Sequence, residues 1–328
     1  MEGVVVRNTG SWYVVRTDDG RLFSCKVKGN FRLRGIRSTN PVAVGDRVEI
    51  RPLSSVGEAA ESLSAPEEKG REEAVALIAD ILPRRNYIVR KASNLSKQSH
   101  ILAANVDQAV LLVTVAHPET NVVFVDRFLA SAEAYRIPVV LLFNKTDLYD
   151  PRERLLMEQL MALYERVGYR CLSCSALLGE GTEELAGVLK DRTTLLSGNS
   201  GVGKSTLLNA LIPGLEAATA EISAAHDTGQ HTTTFSQMYA LPAGGQIIDT
   251  PGIKGFGTFD MEPAEVGHYF REIFRESEAC RFNNCTHTHE PHCAVRAAVA
   301  EGRIAESRYL SYLNMLDDKQ DDKYRKAY

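Results

Sequence analysis

The chain has 328 residues, 44% of them hydrophobic and 24% charged, with a formal net charge of −4. That is ordinary globular composition with ample material for two or three buried cores, and the net charge argues against indiscriminate coating of nucleic acid. No run approaches the ~18 apolar residues of a membrane span, and MEGVVVRNTGSWYVV lacks the pattern of a secretory leader, so a cytoplasmic protein with no membrane partner is expected.

The overall charge hides a segregation, because residues 1–52 hold ten Lys or Arg against five Asp or Glu. The same stretch carries short β-like runs, GVVVR, SWYVVRT, RLFSCKV and DRVEI, separated by the turn signals TDDG, KGN and NPVAVGD. Their spacing suits a small five-stranded barrel of the oligonucleotide-binding kind; an ordinary barrel with a solvated basic face fits the pattern as well. Residues 54–74 follow with six acids against two bases and no apolar periodicity, which reads as a surface loop. LPRRNYIVRKASNLSKQSH then reverses the charge, and its Arg84, Arg85, Arg90, Lys91 and Lys97 have no acid beside them in sequence. This stretch is read as a basic linker, either facing nucleic acid or merely solvated.

From residue 106 apolar strands alternate with helical stretches, predicting a mainly parallel sheet with helices on both faces. After Gly252 the chain becomes helical and charged, with a Cys/His cluster between helices expected near 263–277 and 303–318. The predicted organisation is a barrel with its acidic loop over 1–75, the linker over 76–105, an α/β nucleotide domain over 106–258 and a helical zinc-binding domain over 259–328. Cys171 and Cys174 also have a C-x-x-C spacing, but they sit in YRCLSCSA, which reads as a strand and points them to opposite faces.

The strongest local signal is GNSGVGKST, comprising Gly198, Asn199, Ser200, Gly201, Val202, Gly203, Lys204, Ser205 and Thr206, after an apolar strand and before a helix. Its glycines let backbone N–H groups curl around phosphate oxygens, Lys204 brings a cation to the terminal phosphates and Ser205 offers a hydroxyl to Mg²⁺. NKTD, comprising Asn144, Lys145, Thr146 and Asp147, selects the base. A carboxylate at Asp147 can accept from both the ring N–H and the exocyclic amine of guanine, a donor pair that adenine lacks. Asn144 is expected to tie loops together and Lys145 to lie over the base, while Ser175 and Ala176 are placed to support the guanine from its other side.

DTPG ends another strand, so Asp249 can reach Mg²⁺ through water and the Gly252 amide can reach the γ-phosphate. Thr233 and Thr234 of GQHTTT are both candidates for closing over Mg²⁺, and the sequence does not choose between them. The base motifs precede the phosphate loop, the reverse of the usual GTPase order, which marks a circular permutation. One consequence is that DTPG runs directly into the C-terminal domain, so γ-phosphate contacts are placed to reposition it. In that domain Cys280, Cys285, His287 and Cys293 have the spacing C-x4-C-x-H-x5-C, three thiolates and an imidazole for a closed structural Zn²⁺ site. His289 and His292 lie close enough to compete, and spacing excludes neither.

VGDRV, PRRNYIVRK, AANVDQ, DRFLASAE, NKTDL, GNSGVGKSTLLN, GQHTTT, DTPGIKGF and the Cys/His segment together resemble the ribosome small-subunit-dependent GTPase A family over nearly the whole chain. The resemblance implies an oligonucleotide-binding barrel, a circularly permuted GTPase domain and a zinc domain, with the outer domains on ribosomal RNA. It also implies GTP and GDP as ligands, the 30S subunit and its 16S rRNA as partners in late subunit maturation, and a monomer. It gives the zinc ligands as Cys280, Cys285, His287 and Cys293. It places Ile253 where many GTPases carry a water-orienting Gln, and His231 where the family has a histidine suggested to assist hydrolysis. Lys204, Asp249 and His231 are thus the expected catalytic set. Two departures from the family are Gln230 in place of the commoner Arg before that histidine, and the acidic insertion. A scaffold in which nucleotide only rigidifies an RNA-binding fold is the alternative, distinguished by undetectable turnover even with 30S subunits.

Overall fold

The computed structural model describes residues 1–10, 12–27, 41–53, 74–91, 99–215, 236–250 and 261–324. They form two compact units, the first made of residues 1–107, 189–196 and 231–251, the second of 108–188, 197–230 and 252–328.

The first unit contains the N-terminal barrel. Its strands are β1 (Glu2–Asn8), β2 (Tyr13–Thr17), β3 (Leu22–Val27), β4 (Arg47–Pro52) and β5 (Ala74–Ile81). They pair in the order β1-β2-β3-β5-β4, and β4 pairs back to β1, so the sheet closes and leaves no free edge. Alternation does the sorting: in β2 Tyr13, Val15 and Thr17 point inward while Val14 and Arg16 do not, and Val5, Phe23, Ile50 and Ile78 meet them in one core. The fifth strand, which the sequence reading did not name, begins directly after the acidic insertion and runs beyond residue 75. Gly45, at φ +92, turns the chain before β4, and a Cβ there would lie 2.1 Å from the Ala104 carbonyl oxygen. Only glycine permits that approach.

The basic stretch read as a linker contains paired strands. β6 (Tyr87–Lys91) and β7 (Ser99–Ala104) form an antiparallel ribbon. Its cations are not all unopposed. Arg84 makes a two-pronged pair with Asp46, Nε to Oδ1 at 2.6 Å and Nη2 to Oδ2 at 2.7 Å, with both side chains buried. Arg85 pairs with Asp107 at 2.7 Å. The partners lie 38 and 22 residues away, so their absence from the local sequence says nothing about their presence in space. The unit is completed by most of β11 (Thr193–Gly198), with β12 (Gln237–Ala240) and β13 (Gln246–Asp249). β13 runs parallel to β11 with Leu196 opposite Asp249, and antiparallel to β12.

In the second unit β8 (Gln108–Val113), β9 (Val139–Phe143) and β10 (Arg170–Ser173) lie parallel in the order β10-β9-β8. Every residue of β8 and β9 is buried, the continuous apolar signature of a covered parallel sheet. The helices are α1 (Val122–Ala134), α2 (Pro151–Val167), α3 (Thr182–Leu189) and α4 (Lys204–Leu211). α2 starts at a capping box in which Asp150 accepts from the Arg152 and Glu153 amides while Glu153 accepts from the Asp150 amide, and it ends at Gly168 with φ 109.

The C-terminal part comprises a 3₁₀ turn (Pro263–Tyr269), α5 (Arg271–Ser277), α6 (Ala294–Ala300) and α7 (Glu306–Tyr324). The helix expected over 263–277 is thus split at Phe270, and α6 is additional. Val266, Phe270, Ile273, Val295, Ala298, Ile304, Tyr312 and Met315 form its core, which also takes in Ala130 of α1. At the junction Arg308 is 1% exposed; it donates to both Glu272 oxygens at 2.6 and 3.1 Å and to Asp126 Oδ1 of α1 at 2.6 Å. The Phe270 ring lies 4.7 Å from its guanidinium carbon, and the Tyr164 hydroxyl donates to Asp126 Oδ1 at 2.9 Å. A second tie runs from Arg271 to Glu133 at 2.7 Å.

Arg308→Met would strand two buried carboxylates without their counter-charge, a loss of about 3–5 kcal/mol. Urea unfolding should show it as a lower midpoint, and adding Asp126→Asn with Glu272→Gln should recover part of it. A midpoint unchanged by Arg308→Met would mean that water, not arginine, neutralises those acids.

Candidate functional site

The second unit gathers the two base motifs and the phosphate loop around one side chain. Asn144, just past the end of β9, is 1% exposed, and both the nitrogen and the oxygen of its side-chain amide are hydrogen-bonded. Its Nδ2 donates to the Val202 carbonyl of the phosphate loop at 2.8 Å, and its Oδ1 accepts from the Ala176 amide at 3.0 Å and the Cys174 thiol at 3.2 Å. Residues 144, 174–176 and 202, remote in sequence, are thereby fixed to one another. The loop-tying role expected of Asn144 has a definite geometry. The Cys174 thiol was not anticipated in it, because nothing in a strand-end cysteine signals a hydrogen bond to a residue 30 positions away.

Around this node the other base-motif residues fall into place. Lys145 adopts the left-handed conformation at φ 68, and its ammonium donates to the His117 carbonyl. Burial holds the Lys145 pKa below its ordinary value, against the pull of Asp147. Asp147 is half-buried in the short 3₁₀ turn Thr146–Leu148, and its carboxylate meets no hydrogen-bond donor among the described residues. The Thr146 amide donates to the Cys174 carbonyl at 3.3 Å. Ser175 is fully buried; its hydroxyl accepts from the Leu178 amide at 3.1 Å and its own amide donates to Glu180. This stretch is therefore a closed turn that holds the Ala176 amide toward Asn144.

The phosphate loop leaves β11 at Gly198 and enters α4 at Lys204. Gly203 sits at φ +97, and a Cβ there would come within 2.4 Å of Asn144 Nδ2. The glycine is thus required by the same side chain that ties the loops. Lys204 is buried and its ammonium donates to the carbonyls of Gly198 at 2.7 Å and Asn199 at 2.8 Å, so it lies inside the curl of the loop. Ser205 and Thr206 follow on the first turn of α4, half-buried. In the first unit, Asp249 ends β13 and is 2% exposed, and the Thr250 hydroxyl donates to the Leu196 carbonyl at 3.2 Å. Gly252, His231, Thr233, Thr234 and Ile253 lie outside the described residues.

The C-terminal Cys/His segment assembles a metal-capable group. One ligand atom from each of Cys280, Cys285, His287 and Cys293 lies within 4.8 Å of all the others. His287 Nδ1 is 3.6 Å from Cys280 Sγ and 3.5 Å from Cys293 Sγ, and the two sulfurs are 4.0 Å apart. His289 and His292 are not part of the group; His289 instead shares a hydrogen bond with the Thr288 hydroxyl at 2.8 Å. Burial pushes the Cys285 thiol up to about 12, and the neighbouring thiols add to it, so thiolates here call for a cation. The loop carrying His287, whose φ is 57, is held by Glu290. Its carboxylate accepts from the Thr286 amide at 2.7 Å, the Thr286 hydroxyl at 2.6 Å and the Thr288 amide at 3.1 Å. Tyr309 and Tyr312 of α7 donate to the carbonyls of His287 and Thr286 at 2.6 and 2.7 Å.

A phosphate loop tied to a guanine-type base motif that precedes it in the chain, behind a closed barrel and ahead of a Cys/His domain, defines a circularly permuted GTPase. Comparison with known proteins narrows this. The RsgA GTPase family model matches residues 81–259 and the RsgA N-terminal domain model residues 2–58. The chain is 60% identical over 328 residues, all of both chains, to a protein named small ribosomal subunit biogenesis GTPase RsgA from Bacteroides fragilis, and 56% identical to its counterpart from Porphyromonas gingivalis over the full length of each. Among solved structures it is similar to YjeQ from Thermotoga maritima, with TM-score 0.71 and 34% identity over 97% of this chain and 98% of that one. It is also similar to YloQ, described as a circularly permuted GTPase, with TM-score 0.66 and 25% identity over 98% and 95% of the two chains. The chain belongs to the RsgA GTPase family and is a GTP hydrolase.

Glu290 supports the ligand loop without touching the ligand atoms' centre. Glu290→Ala should speed loss of metal to a chelator by tenfold or more, the usual weight of such a support, while the nucleotide site is unaffected. Equal retention by the variant and the parent would show that the two tyrosines alone hold the loop.

Proposed function

We propose that the chain is a GTP-driven factor of small ribosomal subunit biogenesis, which docks on 30S precursors through 16S rRNA in its GTP form and leaves as the GDP form. The observation that carries the reading is the Asn144 network, which brings base loop and phosphate loop together in a protein whose full-length relatives bear that name. In this reading residues 144–147 with Ser175 and Ala176 hold the guanine, and residues 198–206 with Gly252 hold the phosphates. Lys204 turns its ammonium from loop carbonyls to phosphate oxygens, where it offsets the charge that builds up during phosphoryl transfer. Mg²⁺ supplies Lewis-acid neutralisation of that charge, and Ser205, Asp249 and one of Thr233 or Thr234 are the residues that would hold it.

Zinc is the metal that suits the C-terminal group. Tetrahedral zinc with Zn–S near 2.3 Å sets its sulfurs about 3.8 Å apart, against the 4.0 Å between Cys280 and Cys293. Four protein ligands close the site, so its role is structural. The barrel, the basic ribbon and the zinc domain form the rRNA-facing parts, in a monomer that works in the cytoplasm. Among the described residues no helix is long and apolar enough to cross a membrane.

Two experiments test the reading. Asp147→Asn should weaken GTP binding and shift preference toward xanthosine triphosphate, whose base presents an acceptor where guanine presents a donor; unchanged GTP affinity with no gain for xanthosine would remove Asp147 from the base site. GTP hydrolysis should be slow alone and rise with purified 30S subunits. His231→Ala should keep nucleotide and 30S binding but lose roughly tenfold or more of that rise, as for a positioned acid or base. Full stimulation in the variant would end the catalytic assignment of His231, and no stimulation of the parent would end the ribosomal one.

A further inference from the structure

Tyr149 lies two residues beyond Asp147, buried at 7% exposure, and its ring position alone would make it one more core aromatic. Its hydroxyl does more. It donates to the backbone carbonyl of Asn144 and accepts from the Val115 amide at 3.1 Å. These two groups sit just beyond the ends of β9 and β8, where the chain has left the sheet and the ladder no longer pairs them. One phenol thus satisfies a donor and an acceptor that burial would otherwise leave costly. The loop it grips is also held by Lys145, whose ammonium reaches the His117 carbonyl, and Pro118 in the same loop lies in van der Waals range of a Cβ placed on Gly201.

The Asn144 carbonyl that Tyr149 fixes belongs to the peptide leading into Lys145, whose left-handed backbone turns the chain toward Asp147. The Asn144 side chain, on the same residue, joins the phosphate loop to the Ala176 turn. Rotation of this one peptide would therefore displace the amide node and the Asp147 carboxylate together. We infer that Tyr149 is a positioning residue for guanine specificity, holding the Asn144–Lys145 peptide so that Asp147 meets both donors of the base. The inference rests on the assignment of Asp147 to the base. Burial raises the Tyr149 pKa to about 12, so the phenol remains a donor throughout the physiological range.

The test compares GDP, IDP and ADP binding to the full-length parent and to Tyr149→Phe, which keeps the ring and removes only the hydroxyl. IDP lacks the exocyclic amine, so the GDP-to-IDP ratio measures how well Asp147 is aimed. The parent should prefer GDP to IDP and reject ADP, and Tyr149→Phe should reduce the GDP-to-IDP ratio about three- to tenfold, in line with the loss of one well-made hydrogen bond. A purely structural phenol would lower thermal stability and leave the ratio untouched, which overturns the inference. A parent with no preference for GDP over ADP would overturn the base-site assignment itself. Hydrogen exchange in the unaltered protein gives a second reading that does not depend on the variant folding. The Val115 amide should exchange more slowly with GDP bound than with IDP bound, and equal exchange in the two complexes counts against the role of Tyr149.

Discussion

A single buried amide ties together the loops of the candidate nucleotide site. Asn144 has one donor pair and one acceptor, and at 1% exposure it cannot leave them to water. Its partners are the Val202 carbonyl on one side and the Ala176 amide and Cys174 thiol on the other. Phosphate loop and base loops are thus parts of one hydrogen-bonded body and not independent clamps. The demand reaches into the sequence as well, since Gly203 is required where a side chain would collide with Nδ2. Tyr149 extends the same body through the main chain of Asn144 to the loop after β8.

Circular permutation gives this arrangement its wider consequence. In the second unit the chain that follows the DTPG motif returns to α1, where Arg308 is paired with Asp126 and Glu272 out of water, and where Arg271 meets Glu133. The Cys/His loop is in turn held by tyrosines of α7, the helix that carries Arg308. The C-terminal helices can therefore be displaced only by breaking buried ion pairs or by carrying α1 with them. The expectation that nucleotide contacts reposition the C-terminal domain must be met within that constraint, which favours movement of α1 and the C-terminal helices as one piece.

Much of the site was legible because its motifs are contiguous. The phosphate-loop motif is nine adjacent residues, NKTD four, and the candidate metal-binding group falls within fourteen, so each motif can be read from its spacing alone. Barrel strands were legible through their alternation, except β5, whose apolar residues follow the acidic insertion without a turn signal. What the sequence could not show were pairings across long separations. Arg84 has no acid beside it in sequence because Asp46 is 38 residues away, and nothing in the sequence marks Tyr149 or Arg308, whose partners Val115 and Asp126 lie 34 and 182 residues away. Spacing leaves His287, His289 and His292 open and the family resemblance points to His287; in the structure the turn that Glu290 organises is what brings His287 to the cysteines.

We propose that base and phosphate recognition share the one polar node around Asn144. It is tested most directly by titration calorimetry of Asn144→Ala with GDP, beside circular dichroism to confirm the fold. Removal of three buried hydrogen bonds worth about 1 kcal/mol each predicts a loss of affinity of roughly a hundredfold with the secondary structure intact. GDP affinity within about threefold of the parent, in a folded variant, would show that the loops are held by other means and would contradict the account.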